Sequence, residues 1–117
     1  MKSLLTALFV FAAAATAGCS AAPVPNSRLA STQAAIRGAR EVGAASVPEA
    51  SLHLKFSEEQ ITQAKAMIAE GDNEQADVAL QQAQADAELA LALTRENTAT
   101  VETQRLQGQV QARRGGK

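Results

Sequence analysis

Apolar positions in this chain recur mostly at steps of three and four, the spacing of helices that bury one face. The clearest run is Ala50, Leu54, Ser57, Ile61, Ala64 and Ile68, which predicts a helix over residues 48–70. Pro48 suits the first helical position, with Val47 extended before it. Two local signals compete with this helix. Leu52 to Phe56 alternates apolar and polar, as a strand does. Ser57-Glu58-Glu59-Gln60 fits a capping box, which would start or kink the helix at Ser57. Five residues without a partner strand weigh less than the longer seam, so the helix is retained. Upstream, Leu29, Ile36, Ala39 and Gly43, with Ala35 and Val42 beside them, predict a first helix over 27–44 capped by Ser27. Gly71 suits the left-handed end of the second helix, and Asp72 with Gln75 forms a capping-box signal for a third.

The third helix is predicted over 73–113, with Gly108 as its weak interior point. One face carries Ala76, Ala79, Leu80, Ala83, Ala87, Ala90 and Leu91; the opposite face carries Val78, Ala85, Leu89 and Ala92. A helix apolar on two faces needs two partners. The second helix covers one, and either the first helix or a second copy of the chain must cover the other. Past Thr94 the pattern thins: Val101, Leu106 and Val110 do not share one stripe, and glutamines dominate, which predicts an exposed helical extension over 95–117 ending in a basic tail. A linker of only Gly71 and Asp72 gives an antiparallel pair. The fold class is therefore all-α, an antiparallel helical hairpin or small three-helix bundle with a long C-terminal helix, its domain spanning 27–94. Whether the first helix packs on the hairpin or swings free at Ser46-Val47 stays open.

Ahead of these helices stands a different kind of segment. Lys2 gives a positive start, residues 4–15 form an uncharged apolar run too short to span a bilayer, and Thr16-Ala17-Gly18 are small. This is the layout of a secretory signal over 1–18. Small residues followed by Cys19 resemble the bacterial lipoprotein box, although Thr16 stands where that family usually has leucine. The resemblance implies cleavage between Gly18 and Cys19 and lipidation of the Cys19 thiol. Cleavage after Ala17 or Ala21 of an ordinary signal is the alternative. Cys19 is the only cysteine, so no intramolecular disulfide can form. Residues 19–26 then read as a short tether stiffened by Pro23 and Pro25. Ser20 after the cysteine favours the outer membrane, periplasmic face, by the sorting rule of enteric bacteria.

Composition narrows the chemistry. Eleven Lys and Arg stand against twelve Asp and Glu, so there is no nucleic-acid footprint. With Phe9 and Phe11 in the signal, Phe56 is the one aromatic left, and the chain has no Trp or Tyr. No nucleophilic triad, glycine-rich phosphate loop or Cys/His metal cluster is present, so neither an enzyme nor a cofactor is expected. His53, the single histidine, reads as a solvated residue. Glu58 and Glu59 suit a first helical turn. Glu70, Asp72 and Glu74 straddle a turn but lack calcium-loop spacing, so no metal site is expected. Asp86 lies between the two faces of the third helix, within reach of Arg37 or Arg40.

Residues 35–96 resemble a family of small alanine-rich bacterial lipoproteins built around a domain of unknown function, some members of which carry it ahead of an OmpA-like peptidoglycan-binding module. The matching residues are Ala35-Ile36, Ala39-Arg40, Val47-Pro48-Glu49, Ala64-Lys65, Gly71-Asp72, Ala76, Ala83 and, most clearly, Ala85-Asp86-Ala87-Glu88-Leu89-Ala90. The resemblance implies a helical hairpin and an envelope location and brings no reaction. The chain is thus expected to be a membrane-anchored, non-catalytic interaction module that meets an envelope protein, or itself, through the third helix. Arg113, Arg114 and Lys117 support an alternative. The murein lipoproteins of enteric bacteria also end in lysine, joined there to peptidoglycan, and by that resemblance Lys117 is a candidate attachment point for a tether between outer membrane and wall.

Overall fold

The computed structural model describes residues 21–116, which form α1 (Asn26–Glu41), a 3-10 turn (Ala44–Ser46), α2 (Pro48–Glu70) and α3 (Asn73–Gly115). The fold is all-α, with a long C-terminal helix. α1 starts with Pro25 in the capping position, so Ser27 lies inside the first turn and does not cap. It ends at Glu41, short of the expected 44, because Gly43 adopts a φ of 90° and its N–H turns back to the Arg40 carbonyl. Gly43 therefore terminates the helix and is not part of its seam.

α2 begins on Pro48 with Val47 extended before it, and runs unbroken through Leu52 to Phe56. No capping box forms at Ser57. Its side chain is fully buried in mid-helix, and its hydroxyl donates to the Ala83 carbonyl of α3. Glu58 and Glu59 consequently sit in the middle of the helix and not in a first turn. At the far end Gly71 takes a φ of 89°, the Asp72 N–H reaches the Met67 carbonyl and the Gly71 N–H that of Ile68. That pair of bonds is a Schellman motif. Asp72 occupies the cap of α3, but its side chain makes no capping bond, so the expected box with Gln75 is not formed.

The two-residue turn sets α2 antiparallel to α3. α1 does not swing free: it lies along both helices, parallel to α3. Arg28 pairs with Asp77, and Ser31 hydrogen-bonds Gln84. Arg40 pairs with Glu58 of α2 at 2.6 Å. The core they enclose is Ile36, Leu54, Ile61 and Leu80 set among buried alanines. Leu80 is the largest fully buried side chain. The predicted seam of α2 is buried from Ala50 to Ala64, with Ile68 half-buried at its edge.

Alanine at the contacts brings the helix backbones close enough for short hydroxyls to reach across. Thr32 of α1 donates to the Leu80 carbonyl at 3.2 Å, one turn from the Ala83 carbonyl that Ser57 of α2 meets at 2.5 Å. Each such bond contributes about 1 kcal/mol net. Together they fix all three helices at one register.

Candidate interaction surface

α1 and α2 both lie on the same stripe of α3, the one carrying Ala76, Leu80, Ala83, Ala87 and Ala90. Of the two coverings expected for the second face of α3, the first helix or a second copy of the chain, α1 is not the one. Thr32 and Ser57 bind neighbouring turns of one side, and that geometry leaves the other side open. Val78, Ala85, Leu89 and Ala92 are all exposed, Val78 by 53% and Leu89 by 42%. For comparison, Leu80 on the opposite face is 0% exposed.

The bundle stops at Thr94, which is buried and donates to the Ala90 carbonyl. Every residue over 95–116 is exposed, while the helix continues to Gly115. At 1.5 Å per residue, α3 as a whole is about 65 Å long, and roughly its last half stands alone. This stretch has no tertiary packing to support it, and packing supplies most helical stability in proteins. The Glu102–Arg105 pair at 2.6 Å is its one ion pair among the described residues. It holds the Glu102 carboxyl below its ordinary value and raises Arg105.

This free end is more organised than expected. Leu106 and Val110, 47% and 50% exposed, continue the outward stripe of Val78, Ala85, Leu89 and Ala92 at steps of three and four. Only Val101 falls off it, on the line of Ala87, Ala90 and Thr94. None of the described helices is long and apolar enough to cross a membrane.

His53 is not a solvated residue. It is half-buried between α2 and α3, its Nδ1 2.8 Å from Asp86 Oδ1, with the Phe56 ring set edge-on at 6.1 Å. Gln60 donates to the other Asp86 oxygen at 3.0 Å, leaving its own buried Oε1 without a partner among the described residues. Asp86 therefore binds α2 and not Arg37 or Arg40 of α1. Arg40 goes instead to Glu58. His53 and Asp86 thus join α2 to α3 by one hydrogen bond, and Ser57, one turn along α2, is committed to a backbone carbonyl. A shallow groove between α1 and α2 has Ile36 and Ile61 as its floor and Arg37, Arg40 and Lys65 at its rim. Among the described residues no three His, Cys, Asp or Glu side chains come together as a metal would require.

Gly18, Cys19 and Lys117 lie outside the described residues. The tether is seen only from Ala21 on. Asn73 at the start of α3 donates to the Ala22 carbonyl at 2.7 Å, which ties the chain's entry to the α2–α3 turn.

A family model described as a domain of unknown function, DUF4398, matches residues 27–106, the three helices and half of the free end. No curated protein and no solved structure matches the chain significantly.

Proposed function

The chain belongs to this DUF4398 family, and we propose that its domain is a non-catalytic helical interaction module, carried on an outer-membrane lipoprotein, that docks through the outward face and free end of α3. The supporting observation is the exposed stripe from Val78 to Val110, apolar but for Gln82, Glu96 and Thr103, on the side of α3 opposite Leu80. Alanines at 85, 92 and 99 suit close approach of a partner helix. The signal layout over 1–18 and the single Cys19 support a lipid anchor on the periplasmic face. Cys19 precedes Ala22 by three residues, a reach of about 11 Å at most. The lipid would then sit near the α2–α3 turn, at the opposite end of α3 from its free end.

The test places a photo-crosslinking residue at Leu89, at Leu106 and, as control, at Lys55 on the exposed side of α2, in the native envelope. Adducts at the two α3 positions and none at Lys55 are expected; no adduct at Leu89 or Leu106 would overturn the docking reading. The anchor is tested by the intact mass after muramidase digestion. A chain starting at acylated Cys19 is expected, and an unlipidated mass would remove the anchor. The length of α3 gives a second reading some support, since it carries Arg113 and Arg114 far from the tether. A muropeptide on Lys117 in the same mass measurement would make the protein a membrane-to-wall tether.

A further inference from the structure

We propose that the occupant of α3's outward face is a second copy of this chain, its α3 running antiparallel so that Leu89 of each copy meets the partner's Leu106. The inference rests on the interaction-module reading and names its partner. From Ala85 to Val110 the stripe steps by four and three, the repeat of a coiled-coil seam, with Glu96 and Thr103 as its polar positions. Setting Leu89 on the partner's Leu106 also sets Ala85 on its Val110, Ala92 on its Thr103 and Glu96 on its Ala99. Small residues thus face larger ones, and the two leucine layers flank a slim centre.

Charge selects this register. Arg95 and Glu102 border the stripe on one side, a heptad apart. The antiparallel pairing brings Arg95 beside the partner's Glu102, and by symmetry Glu102 beside the partner's Arg95. Sliding one helix by a heptad in one direction sets Glu88 against the partner's Glu102; sliding it in the other sets Glu102 against its own counterpart. A parallel pairing stacks Glu96 directly on the partner's Glu96 and leaves Arg95 facing Thr100, whereas the antiparallel one offsets the two Glu96 by three residues and gives Arg95 a carboxylate. Like charges so placed cost affinity and opposite ones fix register. Arg95 has no ion-pair partner among the described residues, while Glu102 already holds its own Arg105, so a second arginine would join an existing carboxylate site.

Sterics and area agree. α1 and α2 pack on the far side of α3, and only Val47 and Glu49 at the start of α2 border a groove that reaches a seam residue, Glu96. Twenty-six residues give a contact about 39 Å long, and at a helix width of 10–12 Å this is roughly 800–900 Å² in total, the size of a weak, transient interface. The dimer is accordingly expected to dissociate on dilution. It carries its two tethers at opposite ends and so lies along a membrane that holds both.

The full chain with Cys19→Ser, which removes the only thiol, is the host for the test. Sedimentation velocity is expected to show a concentration-dependent dimer. Arg95→Glu should weaken it at least about tenfold, and Arg95→Glu with Glu102→Arg and Arg105→Glu, which keeps the pair within the helix, should restore it. In the same host, Leu89→Cys and Leu106→Cys chains mixed and oxidised should cross-link to each other, and neither to itself. A chain that stays monomeric at high micromolar concentration overturns the inference, as does Leu89→Cys linking to itself, or a charge exchange that fails to restore dimers. If the chain is monomeric while the photo-crosslinker at Leu89 still captures a different envelope protein, the interaction-module reading survives and the self-pairing falls.

Discussion

Replacing Leu80 by alanine and, separately, Leu89 by alanine deletes the same isopropyl group from the same helix on opposite faces. Leucine and alanine differ little in helix propensity, so the comparison isolates burial. Leu80 is 0% exposed and is flanked along its stripe by Ala76 and Ala83, which have no side-chain length to swing into a void. The loss therefore falls in the middle of the range for buried leucine, about 3–4 kcal/mol. In a domain this small that lowers the melting temperature by roughly 12 °C or more. Leu89 is 42% exposed and its truncation should cost less than about 0.5 kcal/mol. Urea unfolding followed by far-UV circular dichroism reads both, at protein concentrations low enough that association adds nothing. Equal losses at the two positions would refute the assignment of inward and outward faces on α3.

Further outcomes follow from single residues. Gly71→Ala forces a side chain into a φ of 89° and should destabilise by about 1 kcal/mol, whereas Gly38→Ala, in open space inside α1, should stabilise by about 0.5–1 kcal/mol in the same unfolding assay. Ser57→Ala removes the bond to the Ala83 carbonyl and should cost about 1 kcal/mol by urea unfolding. The hydrogen bond from Arg28, and then that from Gln81, hold the Asp77 carboxyl below its ordinary 3.8. Its contribution to stability is thus complete above the unfolded carboxylate value and lost as pH falls through the folded one. A carboxyl titration by NMR should show Asp77 moving up towards 3.8 in Arg28→Gln; no movement would detach Arg28 from it.

What was legible in the sequence was whatever local pattern decides. The α2 seam from Ala50 to Ala64, Pro48 at the helix start, and the left-handed Gly71 with its two-residue turn all follow from spacing and backbone preference. The free end past Thr94 followed from the loss of a core-facing stripe. Misreadings cluster where a distant partner outcompetes a local signal. Ser57 carries a good capping motif, yet the carbonyl of Ala83 on another helix takes its hydroxyl. Thr32 gives no apolar signal at all, and is buried because Leu80 offers it a carbonyl. His53 and Asp86 are 33 positions apart, and only the antiparallel turn makes them neighbours. Gly43 fits a heptad as well as it fits a helix end, and spacing alone does not distinguish the two. The outward stripe was written in the sequence throughout, since Leu106 and Val110 count back to Leu89 by threes and fours.

Whether the outward face of α3 is occupied on the membrane is read most directly by amide hydrogen exchange. The protein is compared in native envelopes and as a dilute purified chain, peptide by peptide across 96–116. A helix with no neighbours opens readily and exchanges fast, and one seated against a partner does not. Strong slowing over this segment in the envelope, with the buried stretch of α2 unchanged between the two states, is the result expected of a docking helix. Equally fast exchange of 96–116 in both states would contradict it, and would leave the stripe from Val78 to Val110 facing only water.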